Sequence, residues 1–431
     1  MKVILHTARS SKGRILVGDM TVLLLSLLII ISEIPILARN VPNIVFYGLV
    51  ALFLVSAVNV ILNLECYRRK TILWLVLYLD MIAVYKVLSI SSAELAYYST
   101  TVKFFFFLFA MLTVAGHMTN GQKYFILITV ALSKLFTVFD NIRLYAQYGP
   151  SVYVHLFQWE RFTTNSVNTT YVSSLLFLSG ALFIVFLHEK RTWIKAGCVV
   201  LIALDILFIA IIAQRMIILV LAIVMLPLLV LYNQKRAAKR MAVFLLLLIA
   251  AVLVLLNLSA ILDILDKAIG SQRLHLRFEQ LKTLVLHRQT VEDGTLSARF
   301  SLFLTSIRTW FSSAGRLLFG AGDHRETNEI IGNHSNYIDE CARYGIVGML
   351  VWIPFTVSFM GSIAKCSGVG KSTPLMRQLK VILLIFVLNA ILSDLYEATV
   401  GIQVFIVLPI ILGFLREKNE AKDLFKWESG G

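Results

Sequence analysis

His334 stands in the run Asn333-His334-Ser335-Asn336-Tyr337, ahead of a helical pattern that passes through Asp339, Glu340, Arg343 and Gly345 into an apolar stretch. An imidazole titrates near neutral pH, so at a helix start it suits general-base work on a sugar hydroxyl. A plainer reading stands beside it: Asn333 caps the helix and His334 is a solvated first-turn residue. On a straight helix, His334 and Gly345 fall about 20° from one face and about 16 Å apart. Arg215 interrupts a nearly unbroken apolar run over residues 196–232. An arginine near a bilayer centre costs about 2.5–3.5 kcal/mol on insertion scales. Arg215 is therefore either an anion ligand facing an outer cavity or a guanidinium snorkelling to the surface. Arg299 lies in Ser297-Ala298-Arg299-Phe300-Ser301-Leu302-Phe303, ahead of Trp310 and then Leu318-Phe319-Gly320-Ala321-Gly322. Glycines allow positive φ and close backbone approach, so Gly320 and Gly322 could set N–H groups beside an anionic or sugar ligand.

The elements that must position these groups are membrane helices. Of 431 residues, 58% are hydrophobic and 15% charged, against about 45–50% and about 25% in soluble domains, which excludes a soluble globular fold. Apolar runs fall at 20–37, 44–62, 71–90, 102–118, 124–139, 171–187, 196–213, 216–232, 241–258, 345–363, 379–393 and 400–415, each near the length that crosses about 30 Å of hydrocarbon. The stretch 196–232 would be about 55 Å long as one helix, so it must break near Gln214-Arg215. The expected fold is all-α: a polytopic membrane protein of about 12 transmembrane helices, with a large external helical loop between helices 9 and 10. Its parts are a nine-helix segment (1–258), the external loop (259–344), and three helices with a tail (345–431).

Charge sets the orientation. With the N-terminus cytoplasmic, 23 of the 40 basic residues fall in the tail, the N-terminus and alternate short loops, such as Arg68-Arg69-Lys70 and Lys235-Arg236. The net charge of +15 is thus explained by the excess of Lys and Arg in cytoplasmic segments, not by nucleic acid. Both termini are expected inside. Residues 140–170 and 259–344 are then the long external segments, and long connections on a rigid scaffold carry function. The larger has Phe300, Phe303, Leu304, Ile307 and Phe311 at helical spacing, which predicts a small cap lying on the external membrane face. It is neutral in sum, yet eight of its ten basic residues are Arg, against nine of 23 in the cytoplasmic segments. Two-pronged recognition of phosphate or carboxylate accounts for that preference, as does pairing with Asp and Glu inside the cap.

In this combination, Arg215 at a short external turn, Arg299 four residues before Phe303, the Gly320-x-Gly322 turn, and His334 with Tyr337 and Gly345, the chain resembles the O-antigen polymerase/ligase superfamily. The motifs span roughly residues 196–365 and the topology spans the whole chain; Ser335 replaces the Asn that follows the histidine in many ligase-like members, which favours a polymerase. The resemblance implies a metal-independent, inverting glycosyltransferase of the bacterial inner membrane, working without a cofactor. Its donor would be a glycan on undecaprenyl pyrophosphate, its acceptor another lipid-linked repeat unit. His334 would receive the hydroxyl proton, and Arg215 and Arg299, with Arg288 and Arg325, would stabilise the departing pyrophosphate. A chain-length regulator is an implied partner. The ligase alternative transfers the glycan to lipid A core.

Other signals carry less. Gly368-x-Gly370-Lys371-Ser372 imitates a phosphate-binding loop, but Lys365 stands where the pattern needs Gly and no strand precedes it. Asn168-Thr169-Thr170 and Asn333-His334-Ser335 are chance sequons. Cys66, Cys198, Cys341 and Cys366 are scattered and read as packing residues. No Asp-x-Asp, His-Glu-x-x-His or Cys/His cluster suggests a metal. Asp80, Lys86, Lys134 and Asp205 lie inside spans and keep a rival class open, a lipid-linked oligosaccharide flippase or transporter with an ion relay. Lys86 and Lys134 lie toward the ends of their runs, which favours snorkelling or interhelical pairing.

Overall fold

A computed structural model describes residues 17–62, 67, 69–89, 109–148, 172–212, 216–234, 237–257, 260, 263–264, 279, 295–322, 330–332, 335–370, 373–392 and 398–428. Among them there is no strand. The helices are α1 (Asp19–Glu33), α2 (Pro35–Asn40), α3 (Asn43–Ile61), α4 (Arg69–Ser89), a helical stretch at 109–117, α5 (Asn120–Tyr148), α6 (Val172–His188) and α7 (Thr192–Leu207). Then come α8 (Met216–Asn233), α9 (Ala237–Leu256), α10 (Thr295–Trp310), α11 (Ala314–Phe319), α12 (Asn336–Cys366), α13 (Pro374–Leu392), α14 (Ala398–Ile402) and α15 (Leu408–Glu428). Two short π-helical stretches, Phe208–Ile212 and Gln403–Val407, continue α7 and join α14 to α15. The chain is an all-α membrane protein: among the described residues six helical stretches, in α3, α5, α7, α12, α13 and α14–α15, are long and apolar enough to cross a bilayer, and α6 and α8 are shorter apolar helices. The described part of each apolar run read from the sequence is mostly helix, the first run being divided at Ile34 into α1 and α2. α5 is longer than its run and carries helix on to Tyr148.

Local chemistry sets the boundaries. Pro35 at the first position of α2 and Pro42 ahead of α3 have no N–H to give a preceding helix and so punctuate the chain there. Pro227 in α8 and Pro354 in α12 sit inside helices, as membrane helices tolerate.

Polar contacts mark one end of the bundle. Gln122 donates to Asp19 (2.8 Å), Lys418 pairs with Glu189 (2.6 Å), and Lys365 Nζ donates to the carbonyl of Tyr67 (2.9 Å). His188 meets Gln378 (2.8 Å) and Arg377 donates to the carbonyl of Gln234 (3.3 Å). This is the end where the basic connections gather. The Lys418 ammonium beside Glu189 holds that carboxyl down to about 2.

Farther along, α1, α5, α6 and the Gln403 stretch meet at a buried ion pair. Lys134 Nζ lies 2.5 Å from Glu33 Oε2 and donates to Ser174 Oγ at 2.5 Å, while Gln403 Nε2 donates to Glu33 Oε1 at 2.9 Å. The side chains of Lys134 and Glu33 are 7% and 0% exposed. Lys134 is in the middle of α5, not toward an end, so it cannot snorkel and the interhelical pairing is what neutralises it. Asp205 on α7 accepts from Ser179 at 3.0 Å. Asp80 is exposed on the flank of α4, and the side chain of Lys86 lies outside the described residues. Between the two levels the core is packed closely enough that a Cβ at Gly180 of α6 would lie 2.9 Å from the Met225 sulfur of α8.

Candidate functional site

The end of the bundle opposite the basic connections is organised by backbone contacts. α12 is not straight: Gly345, with φ +61° and ψ −163°, divides a short segment, Asn336 to Tyr344, from the long apolar segment after it. The cause is the turn after α11. Gly320 and Gly322 have φ of +78° and +77°, which lets the chain lie directly on α12. The N–H of Ala321 donates to Ala342 O (2.8 Å) and that of Gly322 to Arg343 O (3.0 Å). A Cβ on Gly320 would collide with the Arg343 carbonyl, and one on Gly345 would lie 2.5 Å from Gly320 N and from Leu318 O. The Tyr85 hydroxyl of α4 bridges the same spot, within 2.7 Å of Phe319 O and 3.0 Å of Tyr344 O. Gly320 and Gly322 thus serve close approach, as their chemistry allows, but the N–H groups expected to face a ligand are already used: that of Gly320 donates to Arg316 O at the end of α11, and that of Gly322 to α12. The straight-helix geometry expected between His334 and Gly345 starts from a position outside the described residues.

One turn above, α10 is stitched to the start of α12. Ser306 Oγ donates to Asp339 Oδ1 (2.5 Å) and accepts from the Gly332 N–H (2.9 Å). Asp339 Oδ2 accepts from the Ser335 N–H (3.0 Å), and Ser335 Oγ accepts from the Ile338 N–H (3.2 Å). Ser335, not Asn333, is therefore the N-cap, with Asp339 reaching back as in a capping box. Thr309 donates to Ile330 O (2.5 Å), and Gly332 lies so close to the Leu302 carbonyl that no side chain fits there. Sequence reasoning missed this clasp. Its signal was the Ser335-x-x-x-Asp339 spacing beside Gly332, which reads as a cap only once Ser306 is known to face it.

The clasp is dry. Ser306, Ser335, Asn336, Asp339, Glu340 and Arg343 are all buried, and Arg343, at 1% exposed, is the largest of the fully buried side chains. On one helix Glu340 is three residues and Asp339 four residues before Arg343, the spacings at which opposite charges face each other. Two carboxylates and a guanidinium are thus buried together on the first turns of α12.

Of the residues singled out from the sequence, His334, Arg215, Arg288 and Arg325 lie outside the described residues. Arg299 is within α10, its side chain outside the description; its position is one turn before Leu302, whose carbonyl backs Gly332. Position 299 and the chain flanking position 334, Gly332 and Ser335, are thereby brought into one neighbourhood. Described helix reaches Ile212 on one side of Arg215 and Met216 on the other, and the break expected between them lies outside the described residues. Ile212 is 20 residues from the start of α7 near Glu189, ~30 Å at ~1.5 Å per residue, so it lies at the same end of the bundle as Gly345.

Comparison of the sequence with protein-family models and with curated proteins finds no match.

Proposed function

We propose that the chain is a membrane glycosyltransferase that polymerises oligosaccharide repeat units carried on undecaprenyl pyrophosphate, of O-antigen or capsule type. The observation that carries this reading is the clasp of Ser306 and Asp339, which joins the helix bearing Arg299 to the chain on both sides of His334, at the end of the bundle away from the basic connections. An anionic leaving group departing into a site of arginines, beside a base at a helix start, is the chemistry such an arrangement serves.

In this mechanism a hydroxyl of the acceptor's terminal sugar attacks the anomeric carbon of the donor glycan. His334 takes the hydroxyl proton, the new glycosidic bond forms with inversion, and the C–O bond to undecaprenyl pyrophosphate breaks. The electron pair stays on the pyrophosphate oxygen, held by Arg215 and Arg299, with Arg288 and Arg325 as further candidates. The site faces the periplasm, both termini lie in the cytoplasm, and about twelve helices cross the bacterial inner membrane. A chain-length regulator is a fitting partner.

The deciding experiment is elongation of a lipid-linked oligosaccharide by purified protein in detergent, where no gradient exists. Longer lipid-linked products are expected from the unaltered chain and none from His334→Ala, Arg215→Ala or Arg299→Ala at matched expression. Normal elongation by His334→Ala removes the base. Transfer to lipid A core instead of the repeat unit turns the reading to a ligase. The buried cluster of Glu33, Lys134, Gln403 and Asp205 favours a second reading, a flippase with an intramembrane relay. Transbilayer movement of the lipid-linked oligosaccharide in vesicles, with no elongation in detergent, would establish it.

A further inference from the structure

The membrane boundary can be located on this structure, and it puts an unusual surface at the lipid. The outward-facing apolar stripe of α12 begins directly after the break, at Ile346 and Val347, and continues through Leu350, Ile353 and Val357, whereas Cys341 to Gly345 are buried. From Gly345 to Lys365 is 20 residues, ~30 Å at ~1.5 Å per residue, which is the thickness of the hydrocarbon core. On α4 the exposed apolar Val84 stands next to Tyr85, which bridges to the break. Gly345 and Tyr85 therefore mark the edge of the acyl region on that side. The turn after α11 is bonded to this same level.

At that level, Phe311, Leu318 and Phe319 are 60%, 45% and 58% exposed. Arg308 and Arg316 are exposed too, each three residues before one of the phenylalanines, hence on its face of the helix. Arg316 Nη1 bonds the Ser312 hydroxyl, while Trp310 Nε1 donates to Leu317 O and ties α10 to α11. Bulky apolar groups beside guanidiniums, held rigidly at the edge of the hydrocarbon, match a bilayer surface of phosphate above and acyl chain below.

We propose that α11 and the turn before it form a lipid-inserted wedge, with Phe311, Leu318 and Phe319 entering the acyl region and Arg308 and Arg316 holding the phosphates of anionic headgroups. The wedge anchors the α10–α11 cap to one leaflet and needs no assumption about the reaction. Through Gly320 it also links the state of that leaflet to α12 and to the clasp above it.

Replacing Phe311, Phe319, Leu350 or Ser301 singly with the photocrosslinker p-benzoylphenylalanine, in nanodiscs of phosphatidylcholine with or without phosphatidylglycerol, tests this by intact-mass analysis. Leu350, on the lipid-facing stripe, provides the full lipid adduct. Ser301 lies on α10 beyond Leu302, on the far side of the clasp from Gly345. Lipid adducts at 311 and 319 comparable to that at 350, and their loss at 301, are expected. Phosphatidylglycerol is expected to be captured in preference to phosphatidylcholine, a preference lost in Arg308→Gln/Arg316→Gln. No lipid adduct at 311 and 319 while 350 reacts, or adducts between two protein copies there, overturns the wedge; equal capture of both lipids overturns the headgroup contact.

Discussion

Replacing Gly345 with alanine should open the joint between the cap and the membrane helices. Two separate effects set the size. At φ +61° and ψ −163° the backbone is in a region essentially reserved for glycine, which costs a residue with a Cβ about 1–3 kcal/mol. The new methyl would also lie 2.5 Å from Gly320 N and Leu318 O and 2.6 Å from Leu318 C. These are backbone atoms with no rotamer to change, and overpacking of this kind costs about 1–3 kcal/mol more. The sum, about 2–6 kcal/mol, exceeds what the cap's two backbone hydrogen bonds across the joint supply, at about 0.5–1.5 kcal/mol each. The cap should detach before the helices unfold. Gly361, on the same helix, is the control, because a Cβ there meets nothing within 4 Å; Gly361→Ala should be neutral or stabilising by up to about 1 kcal/mol. Thermal unfolding in detergent and limited trypsin digestion would report both. Gly345→Ala should melt earlier and become cleavable at Arg308 and Arg316, with Gly361→Ala unchanged. A Gly345→Ala protein that melts and digests like the unaltered one would refute the close-approach reasoning.

Ser306→Ala removes the hydroxyl that bonds both Asp339 and Gly332 and takes from the buried Gly332 N–H the acceptor it uses, at about 1–3 kcal/mol; elongation activity should fall with little change in expression, and unchanged activity would remove the clasp from the site. Lys134→Met leaves the Glu33 carboxylate buried without its cation, a destabilisation of about 3–5 kcal/mol, whereas Glu33→Gln/Lys134→Met should recover most of the melting temperature; equal losses from the single and double variants would argue against a coupled pair. Glu189 gives a pH prediction. Its carboxyl is held down to about 2 by the Lys418 ammonium, below the ordinary value of about 4.3. The stabilisation is therefore full above the ordinary value and lost as pH falls toward 2. Glu189→Gln should accordingly melt earlier than the unaltered chain at neutral pH and match it near pH 2; a constant gap across that range would show that the pair is not the cause.

What the sequence made legible, and what it did not, divides along one physical line. Helices that meet lipid announce themselves by composition, so the apolar runs were readable, while the break that length demands near Gln214-Arg215 falls outside the described residues. Lys134 was legible as an intramembrane charge that needs a partner. Its partner was not, because Glu33 stands at the end of α1, where a carboxylate carries no signal until α5 is laid beside it. The helix start was misplaced for a related reason: Asn333 and Ser335 are both good caps by type, and only the Asp339 side chain, bonded to the Ser335 N–H, decides between them.

The joint at Gly345 belongs to a different category. Its partners are carbonyls and N–H groups of residues 318–322 and 342–345, and backbone atoms have no sequence signature. Three glycines with positive φ, Gly320, Gly322 and Gly345, are the only trace such a contact leaves. A Gly-x-Gly pair read in isolation suggests a ligand cradle, because both a ligand and another stretch of backbone demand the same missing Cβ. The two demands separate through the second partner: a cradle leaves its N–H groups pointing into open space, whereas a docking turn requires a matching glycine elsewhere in the chain. Gly345 is that match. Its place at the start of the lipid-facing stripe means that the contact fixes the height of the cap above the membrane, and with it the level at which Arg299 and the chain around His334 are held. The glycines of the candidate site therefore act through position, and on the proposed reading substitutions there should impair the cap and the chemistry together, while His334→Ala should abolish elongation and leave the melting temperature unchanged.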